Sequence, residues 1–309
     1  GGLYQVGSFP SWNRWAEWNG RYRDDLRSFL KGDAGFAYDA VRRISGSLDI
    51  YNPENRGDNA SVNFITCHDG FTLYDLYSYN MKHNEANAWN NTDGANDNRS
   101  WNCGIEGDTD NPEVLKLRYK MIKNAAAVLM CSRGTPMFFA GDEFCNTQFG
   151  NNNAYCQDNE ISWLNWNLKE KNNDIFEFFK FMIKFRKKHD IIRKRLRPSA
   201  YGYPDVSYHS DRANCSDYQH DSHMVAVMFA GRKDGREDIV YIAVNSYWES
   251  VNVTLPTLPM GHYWKLAVDT GDGVFGFDIN QKIANEWIME PRSVVIMYAE
   301  AVVHQGITL

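Results

Sequence analysis

Two nearly continuous apolar runs in the first two-thirds of the chain each end in polar residues. Residues 62–67 run into His68 and Asp69, and residues 135–141 run into a second acidic pair. Runs of this kind are typical of short strands that are buried on both faces of a parallel sheet. We therefore expect carboxylates at the carboxyl ends of two buried parallel strands.

Apolar positions at helical spacing predict amphipathic helices around these strands. The longest is capped by Asn111 or Asp110, carries Pro112 in its first turn and stops at Gly134. Two others cover about residues 22–31 and 175–188, and the aromatic segment 12–18 could include a further strand. The order of elements predicts three strand–helix units before residue 196.

The pattern changes near Pro198, where short strand candidates separated by turn residues begin. Residues 250–255 alternate between apolar and polar side chains, which is typical of an antiparallel sheet with one solvated face. The candidates are 206–210, 224–231, 239–245, 250–255, 263–269 and 293–299. An α/β segment followed by a β-sandwich is typical of barrel hydrolases, although spacing alone does not separate a closed barrel from an open doubly wound sheet.

Composition excludes several classes of function. The net charge of -6 comes without a basic block, which argues against nucleic acid as a partner. The apolar runs are far shorter than the roughly 20 residues of a membrane-spanning helix. Six cysteines without a CxxC pair and the lack of a signal peptide indicate a cytoplasmic location, although a start at Gly1 without Met indicates that the chain is cut there. No histidine has HExxH or paired Cys/His spacing, so we expect no metal and no cofactor.

The 10 Trp, 17 Tyr and 17 Phe are accompanied by many asparagines between residues 77 and 166. Aromatic rings stack on the apolar faces of sugars while amides and carboxylates bind their hydroxyls, so this mixture suits a carbohydrate cleft. Polar loops over packed aromatic side chains would give the same composition.

Longer motifs decide between these interpretations, because residues 2–167 resemble isoamylases and bacterial glycogen debranching enzymes of the alpha-amylase clan. The region of strand candidates after Pro198 resembles theirs only in its position in the chain and in its general strand pattern. The matching segments are GLYQVGSFP (2–10), WAEWNGRYRDDLRSF (15–29), SVNFITCHDGFTL (61–73), KHNEAN (82–87), SWNCG (100–104), GTPMFFAGDE (134–143) and GNNNAYCQDNEISW (150–163).

The resemblance implies a retaining glycoside hydrolase built on a (β/α)8 TIM barrel. Residues 1–198 would be its C-terminal portion, strands six to eight, and residues 199–309 would form an antiparallel β-sandwich domain. The family has a nucleophilic Asp after strand four, a general-acid Glu after strand five and a second Asp after strand seven. His68 and Asp69 match this last position, which implies that Asp69 is catalytic and that His68 binds a sugar hydroxyl.

Further site residues follow from the same resemblance. The loop 151–158 follows the eighth strand, so Asn153 and Asp158 are expected to contact substrate, the alternative being a solvated loop. The segment 83–85 could line the groove. The resemblance implies that the pair at 142–143 has a local structural role. Trp15, Trp18, Trp101 and Trp163 could be sugar platforms, but tryptophans are more often core residues, and we expect this of Trp18 and Trp163.

The function implied is hydrolysis of α-1,6-linked branches of glycogen or a related branched α-glucan. The matching acid and nucleophile would lie before Gly1, so the chain alone is expected to be inactive, and its unpaired barrel edges predict self-association. Two alternatives stay open. One is an α-1,4-acting hydrolase of the same clan, and the other is a non-catalytic glucan-binding or assembly module.

Overall fold

The computed structural model describes residues 6–9, 14–52, 56 and 60–301. In this part of the chain, a small parallel sheet has three strands in the order β1-β2-β3. These strands are β1 (Glu17–Trp18), β2 (Ser61–Phe64) and β3 (Thr135–Met137). The prediction of parallel strands in chain order is confirmed, but β2 is shorter than the predicted run 62–67. Pairing ends there because the carbonyl oxygen of Ile65 accepts a hydrogen bond from the Arg27 side chain, at 2.8 Å.

Helices follow and separate these strands. They are α1 (Gly20–Lys31), α2 (Ala37–Ile44), α3 (Leu73–Leu76), α4 (Pro112–Cys131), α5 (Asn167–Lys171), α6 (Asn173–Lys188) and α7 (Asp190–Arg193). The α4 helix begins as predicted, because the Asn111 side chain accepts hydrogen bonds from the backbone N–H groups of Glu113 and Val114. Among the helices of the described ranges, none is both long enough and apolar enough to cross a membrane.

The α4 helix ends in an unusual way. Arg186 of α6 is buried, and its guanidinium donates to the carbonyl oxygens of Met130 and Ser132, each at 2.8 Å, and of Gly134 at 2.5 Å. A cation at a helix C-terminus is favoured by the helix dipole and satisfies carbonyls that have no partner within the helix. Arg186 therefore connects the end of α4 to the segment that enters β3.

An antiparallel sheet follows residue 205. The strands of this region are β4 (Val206–His209), β5 (Met224–Lys233), β6 (Arg236–Asn245), β7 (Val251–Thr254), β8 (His262–Asp269), β9 (Val274–Phe275), β10 (Lys282–Ile283), β11 (Glu286–Met289) and β12 (Ser293–Ala301). Within the described residues, the antiparallel sheet has seven of these strands, in the order β10-β8-β12-β6-β5-β4 with β9 beside β8. The other two strands, β7 and β11, pair with each other in a separate sheet. Each strand candidate of this region is confirmed.

The expectation that one face of each sheet is solvated is wrong for the larger sheet. Its central strands are buried at nearly every position, because one face packs on the helices and the other on the β7–β11 pair. Val227 and Phe229 join the core of the helices, whereas Met228 joins the cluster beneath β7. Each fully buried side chain of this size contributes about 1.5–3 kcal/mol. The helices and the antiparallel sheet therefore share one hydrophobic core.

Candidate functional site

His68 and Asp69 lie in the loop that connects β2 to α3, at the carboxyl end of the parallel strand, as the sequence predicts. Their side chains are 63% and 76% exposed, and His68 Nε2 lies 3.4 Å from Asp69 Oδ2. The Trp18 ring contacts the His68 ring edge-on, with centroids 5.6 Å apart. An exposed carboxylate, an imidazole and an aromatic ring are thus grouped at the end of β1 and β2.

Asp69 lines a cavity of about 270 Å³. Asn153, which the sequence also proposes as a substrate contact, lines the same cavity from the loop after β3. The remaining lining comes from α1, the loop after Asp69, the segment 94–98 and the loop after β3: Arg23, Asp24, Arg27, Gly70, Gly94, Ala95, Asp97, Asn98 and Asn152. The structure therefore brings together two of the predicted site residues from different strand–helix units.

A closed ring of hydrogen bonds fixes the walls of this cavity. The backbone N–H of Gly70 donates to the carbonyl oxygen of Asn152 at 2.9 Å, and the Asn152 amide donates to Asn98 Oδ1 at 2.9 Å. Arg27 donates to the Asn98 carbonyl at 3.0 Å and to the Ile65 carbonyl at 2.8 Å. Ile65 follows β2 directly, and the backbone from Ile65 to Gly70 closes the ring. The Asp69 loop is therefore attached on both sides of its carboxylate.

Arg27 is a site residue that sequence reasoning missed. Its side chain is buried, and burial lowers its pKa to about 10, so it stays charged at neutral pH. Among the described residues, its Nη2 atom has no hydrogen-bond partner. The signal available in the sequence was an arginine beside the apolar positions Leu26 and Leu30 of one amphipathic helix.

A network of amides joins the loop 84–98 to the loop after β3. Asn84 is fully buried and exchanges two hydrogen bonds with Asn152, one from each residue, at 2.8 and 2.9 Å. Asn87 and Asn153 both donate to the Asp93 carboxylate, and the Asn87 bond in particular lowers the pKa of Asp93 below its ordinary range. Asn84, which belongs to the segment that could line the groove, therefore holds two loops together and does not line the Asp69 cavity.

Asp142, the first residue of the acidic pair after β3, supports the loop that carries His68 and Asp69. Asp142 is buried, and its carboxylate accepts hydrogen bonds from the Thr66 hydroxyl, from Leu73 N at 2.8 Å and from Phe139 N at 3.0 Å. Burial raises the pKa of Asp142 to about 7. Because Thr66 and Leu73 stand on either side of the His68 and Asp69 loop, Asp142 fixes both ends of that loop. This agrees with the local structural role that we expected.

Asp158 lies outside the Asp69 cavity. Its carboxylate accepts a hydrogen bond from Trp163 Nε1 at 3.1 Å. The prediction that Trp18 and Trp163 are core residues is wrong, because their side chains are 46% and 59% exposed. Trp18 belongs to a two-residue edge strand and Trp163 to a loop, so neither has the surrounding elements that would bury a ring of this size.

Comparison of sequences identifies proteins that are similar to this chain. The family described as "Isoamylase 1-3, C-terminal" matches residues 207–299. Isoamylase 3, chloroplastic, of Oryza sativa subsp. japonica is 45% identical over 271 residues, which cover 87% of this chain and 34% of the rice protein. The glycogen operon protein GlgX homolog of Mycobacterium tuberculosis (strain ATCC 25618 / H37Rv) is 39% identical over 320 residues, which cover 96% of this chain and 43% of that protein. The chain thus spans between a third and a half of these relatives.

Solved structures of pullulanases share the fold. Pullulanase type I from Bacillus subtilis str. 168, complexed with maltose, has a TM-score of 0.66 at 20% identity, over 92% of this chain and 35% of that one. The pullulanase from Anoxybacillus sp. LM18-11, complexed with maltotetraose, has a TM-score of 0.63 at 18% identity, with the same coverage of 92% and 35%. At these identities the likeness concerns the fold alone.

Proposed function

Because this chain belongs to the isoamylase and GlgX family, we propose that it is part of a glycoside hydrolase that removes α-1,6-linked branches from glycogen or a related branched α-glucan. The observation that carries the proposal is the identity of 39–45% that extends over 87–96% of the chain and includes the Asp69 loop. Since the chain spans only part of its relatives, we assign the activity to the whole enzyme.

The parallel sheet suggests where the chain lies in that enzyme. We take β1, β2 and β3 as strands six to eight of a (β/α)8 barrel, with residues 1–198 in the barrel and 199–309 in a C-terminal β-sandwich. The parallel order of the strands and the helices between them support the first part. The onset of antiparallel strands at Val206 supports the second. Active sites of such barrels gather at the carboxyl ends of the strands, where Asp69 lies.

Asp69 takes the role of the third carboxylate in this proposal. Retaining hydrolysis uses one carboxylate as nucleophile and another as acid and base, while further groups bind sugar hydroxyls and stabilise the oxocarbenium-like transition state. The exposed Asp69 side chain, with His68 beside it and Asn153 in the same cavity, suits hydrogen bonding to a sugar. Asp158 stays a predicted substrate contact.

We assign the nucleophile and the general acid to other parts of the enzyme. Two more carboxylates line the Asp69 cavity, but Asp24 pairs with Arg23 at 2.7 Å and Asp97 accepts from the backbone N–H of Arg99 at 2.9 Å. Both carboxylates therefore already have partners within this chain. The chain alone is therefore proposed to bind α-glucan without cleaving it.

The test combines binding and hydrolysis. The purified chain is incubated with glycogen and with pullulan, and pull-down and reducing ends are measured for the wild type and for Asp69→Asn. We expect binding that weakens in the variant, and no new reducing ends. In a complete enzyme, Asp69→Asn should lower kcat by about 10³-fold, which corresponds to about 4 kcal/mol. Cleavage by the chain alone that disappears in Asp24→Asn or Asp97→Asn would contradict the assignment.

The state of the cysteines bears on the location of the enzyme in the cell. We propose the cytoplasm, because the six cysteines are unpaired in the described part of the chain and two of the more exposed, Cys156 and Cys215, remain free thiols. The rice relative is named as a chloroplastic protein, so an organelle with a reducing interior is the alternative. Fractionation of cells that produce the full-length enzyme distinguishes the two.

A further inference from the structure

A second cavity, of about 450 Å³, lies between α3, α4 and the loop that connects β3 to α5. Its volume is in the range of sites for small molecules, about 300–1,000 Å³. The loop after β3 contributes to both cavities: Asn152 and Asn153 line the cavity of Asp69, whereas Asn146, Phe149 and Trp163 line the second one.

Aromatic side chains dominate the second cavity. Trp163 and Phe149 are 59% and 52% exposed, which is unusual for rings of this size. The hydrogen bond of 3.1 Å from Trp163 Nε1 to Asp158 fixes the orientation of the indole and leaves its ring face as the available surface. Tyr74 and Tyr79 line the wall beside them. Fixed, solvent-exposed ring faces of this kind stack on flat ligands at little entropic cost.

Polar groups stand among these rings. The carboxylates of Asp108 and Glu160 line the cavity and provide hydrogen-bond acceptors. The wall itself is rigid, because Asn146 accepts from the Asn165 backbone N–H at 2.9 Å and the Tyr119 hydroxyl donates to Asn172 at 3.1 Å. A purely apolar ligand would desolvate the two carboxylates without compensation. A sugar instead has apolar ring faces for the aromatic groups and hydroxyl donors for the carboxylates.

We propose that this cavity is a second α-glucan site, in which Trp163 stacks on a glucose ring and Asp158 holds the indole in place. The inference rests on the proposed function only for the class of sugar. A branched α-glucan has several chains in one molecule, so a site on the same loop as Asn153 holds one chain while another reaches Asp69. Simultaneous contact raises the effective concentration of the second chain at its site.

The test uses the 309-residue chain and maltotetraose. Titration is followed by the indole N–H signals of the tryptophans in NMR spectra and by calorimetry. We expect a saturable shift of the Trp163 signal, assigned with Trp163→Phe, and an affinity about tenfold weaker at this site in Trp163→Ala. The matched control is Trp248→Ala, because Trp248 is also 59% exposed but lies after β6. It should bind as the wild type does.

Asp69→Asn separates this proposal from the proposed function. That variant should keep the shift of the Trp163 signal while its binding at the Asp69 cavity weakens. An unshifted Trp163 signal at saturating maltotetraose would overturn the second site and leave the role of Asp69 intact. Equal losses in Trp163→Ala and Trp248→Ala would also overturn it. A Trp163 signal that responds to other polypeptide segments of the full-length enzyme, but not to maltotetraose, would show that protein fills the cavity.

Discussion

Gly70 donates its backbone N–H to the carbonyl oxygen of Asn152 at 2.9 Å, and this bond joins the loop of the candidate catalytic Asp69 to the next strand–helix unit. The Asn152 side chain is buried and donates to Ala95 and Asn98 while it accepts from Asn84. The relative position of two loops of the site thus depends on Asn152, through both its backbone carbonyl and its side-chain amide.

Asn152→Ala should therefore both destabilise the protein and loosen the site. It leaves buried polar partners unsatisfied, and we expect the free energy of unfolding to fall by about 2–4 kcal/mol. Denaturant titration measures this loss, and hydrogen exchange should become faster at Gly70 and in residues 84–98. The control is Asn96→Ala, whose side chain is exposed in the same segment. Unchanged exchange at Gly70 in Asn152→Ala would contradict the coupling.

Asp142 makes stability depend on pH. Its pKa is raised by burial from 3.8 to about 7, so between these values the folded protein keeps a proton that the unfolded chain has released. The free energy of unfolding should therefore fall as the pH rises through this window. Asp142→Asn should be less stable by about 1–3 kcal/mol, because its NH₂ group meets the donor N–H groups of Leu73 or Phe139.

The same variant should also show a smaller pH slope between about pH 4 and pH 7, as measured by thermal unfolding in a series of buffers. Part of the slope remains, because burial also raises the pKa of Asp75, to about 6. Glu143→Gln, at the adjacent position, should reduce the slope only slightly, because the Glu143 charge raises the pKa of Asp142 less than burial does. An undiminished slope in Asp142→Asn would show that other groups cause it.

Arg186 should be essential for stability although it forms no part of the site. Arg186→Met leaves three carbonyl oxygens near the end of α4 without their donor, and we expect a loss of about 3 kcal/mol or more. Lys187→Met changes an exposed neighbour on the same helix and should stay within about 0.5 kcal/mol of the wild type. Chemical denaturation compares them, and equal stability would contradict the role of Arg186.

The edges of the parallel sheet should lead to self-association of the isolated chain. In the described part of the chain, β1 and β3 each pair on one side only, and unpaired edges associate readily. We expect a dimer or larger species at micromolar concentration by light scattering. Met137→Lys in β3 should weaken it, whereas Met260→Lys, at a position 97% exposed, should not. A monomer at all concentrations would count against this prediction.

The sequence predicts those features that depend on local pattern. The Asn111 cap and Pro112 locate the start of α4, and continuous apolar runs locate β2 and β3, because capping and burial act over a few residues. The position of Asp69 at a strand end follows in the same way. The expectation that Asn153 belongs to the same site as Asp69 came from the resemblance, since spacing alone does not fix which loops meet.

Features that depend on distant contacts were missed or misjudged. Arg27 becomes a site residue only because Ile65 and Asn98 approach it, from positions 38 and 71 residues away in the chain. The exposure of Trp163 depends on which elements cover its loop, and hydrophobicity alone wrongly favours the core. The double burial of β5 depends likewise on helices that precede it by many residues.

The core shared by the helices and the antiparallel sheet has a consequence for recombination between relatives. Asn124 of α4 donates to the Arg292 carbonyl at 2.9 Å and accepts from the Thr270 hydroxyl at 2.5 Å, so the C-terminal sheet is attached to α4 by polar as well as apolar contacts. A chimera joined near residue 198 inherits two halves of that interface from different proteins. Its success therefore depends on exchanging α4 and β12 together, and a junction chosen from the sequence boundary alone would separate them.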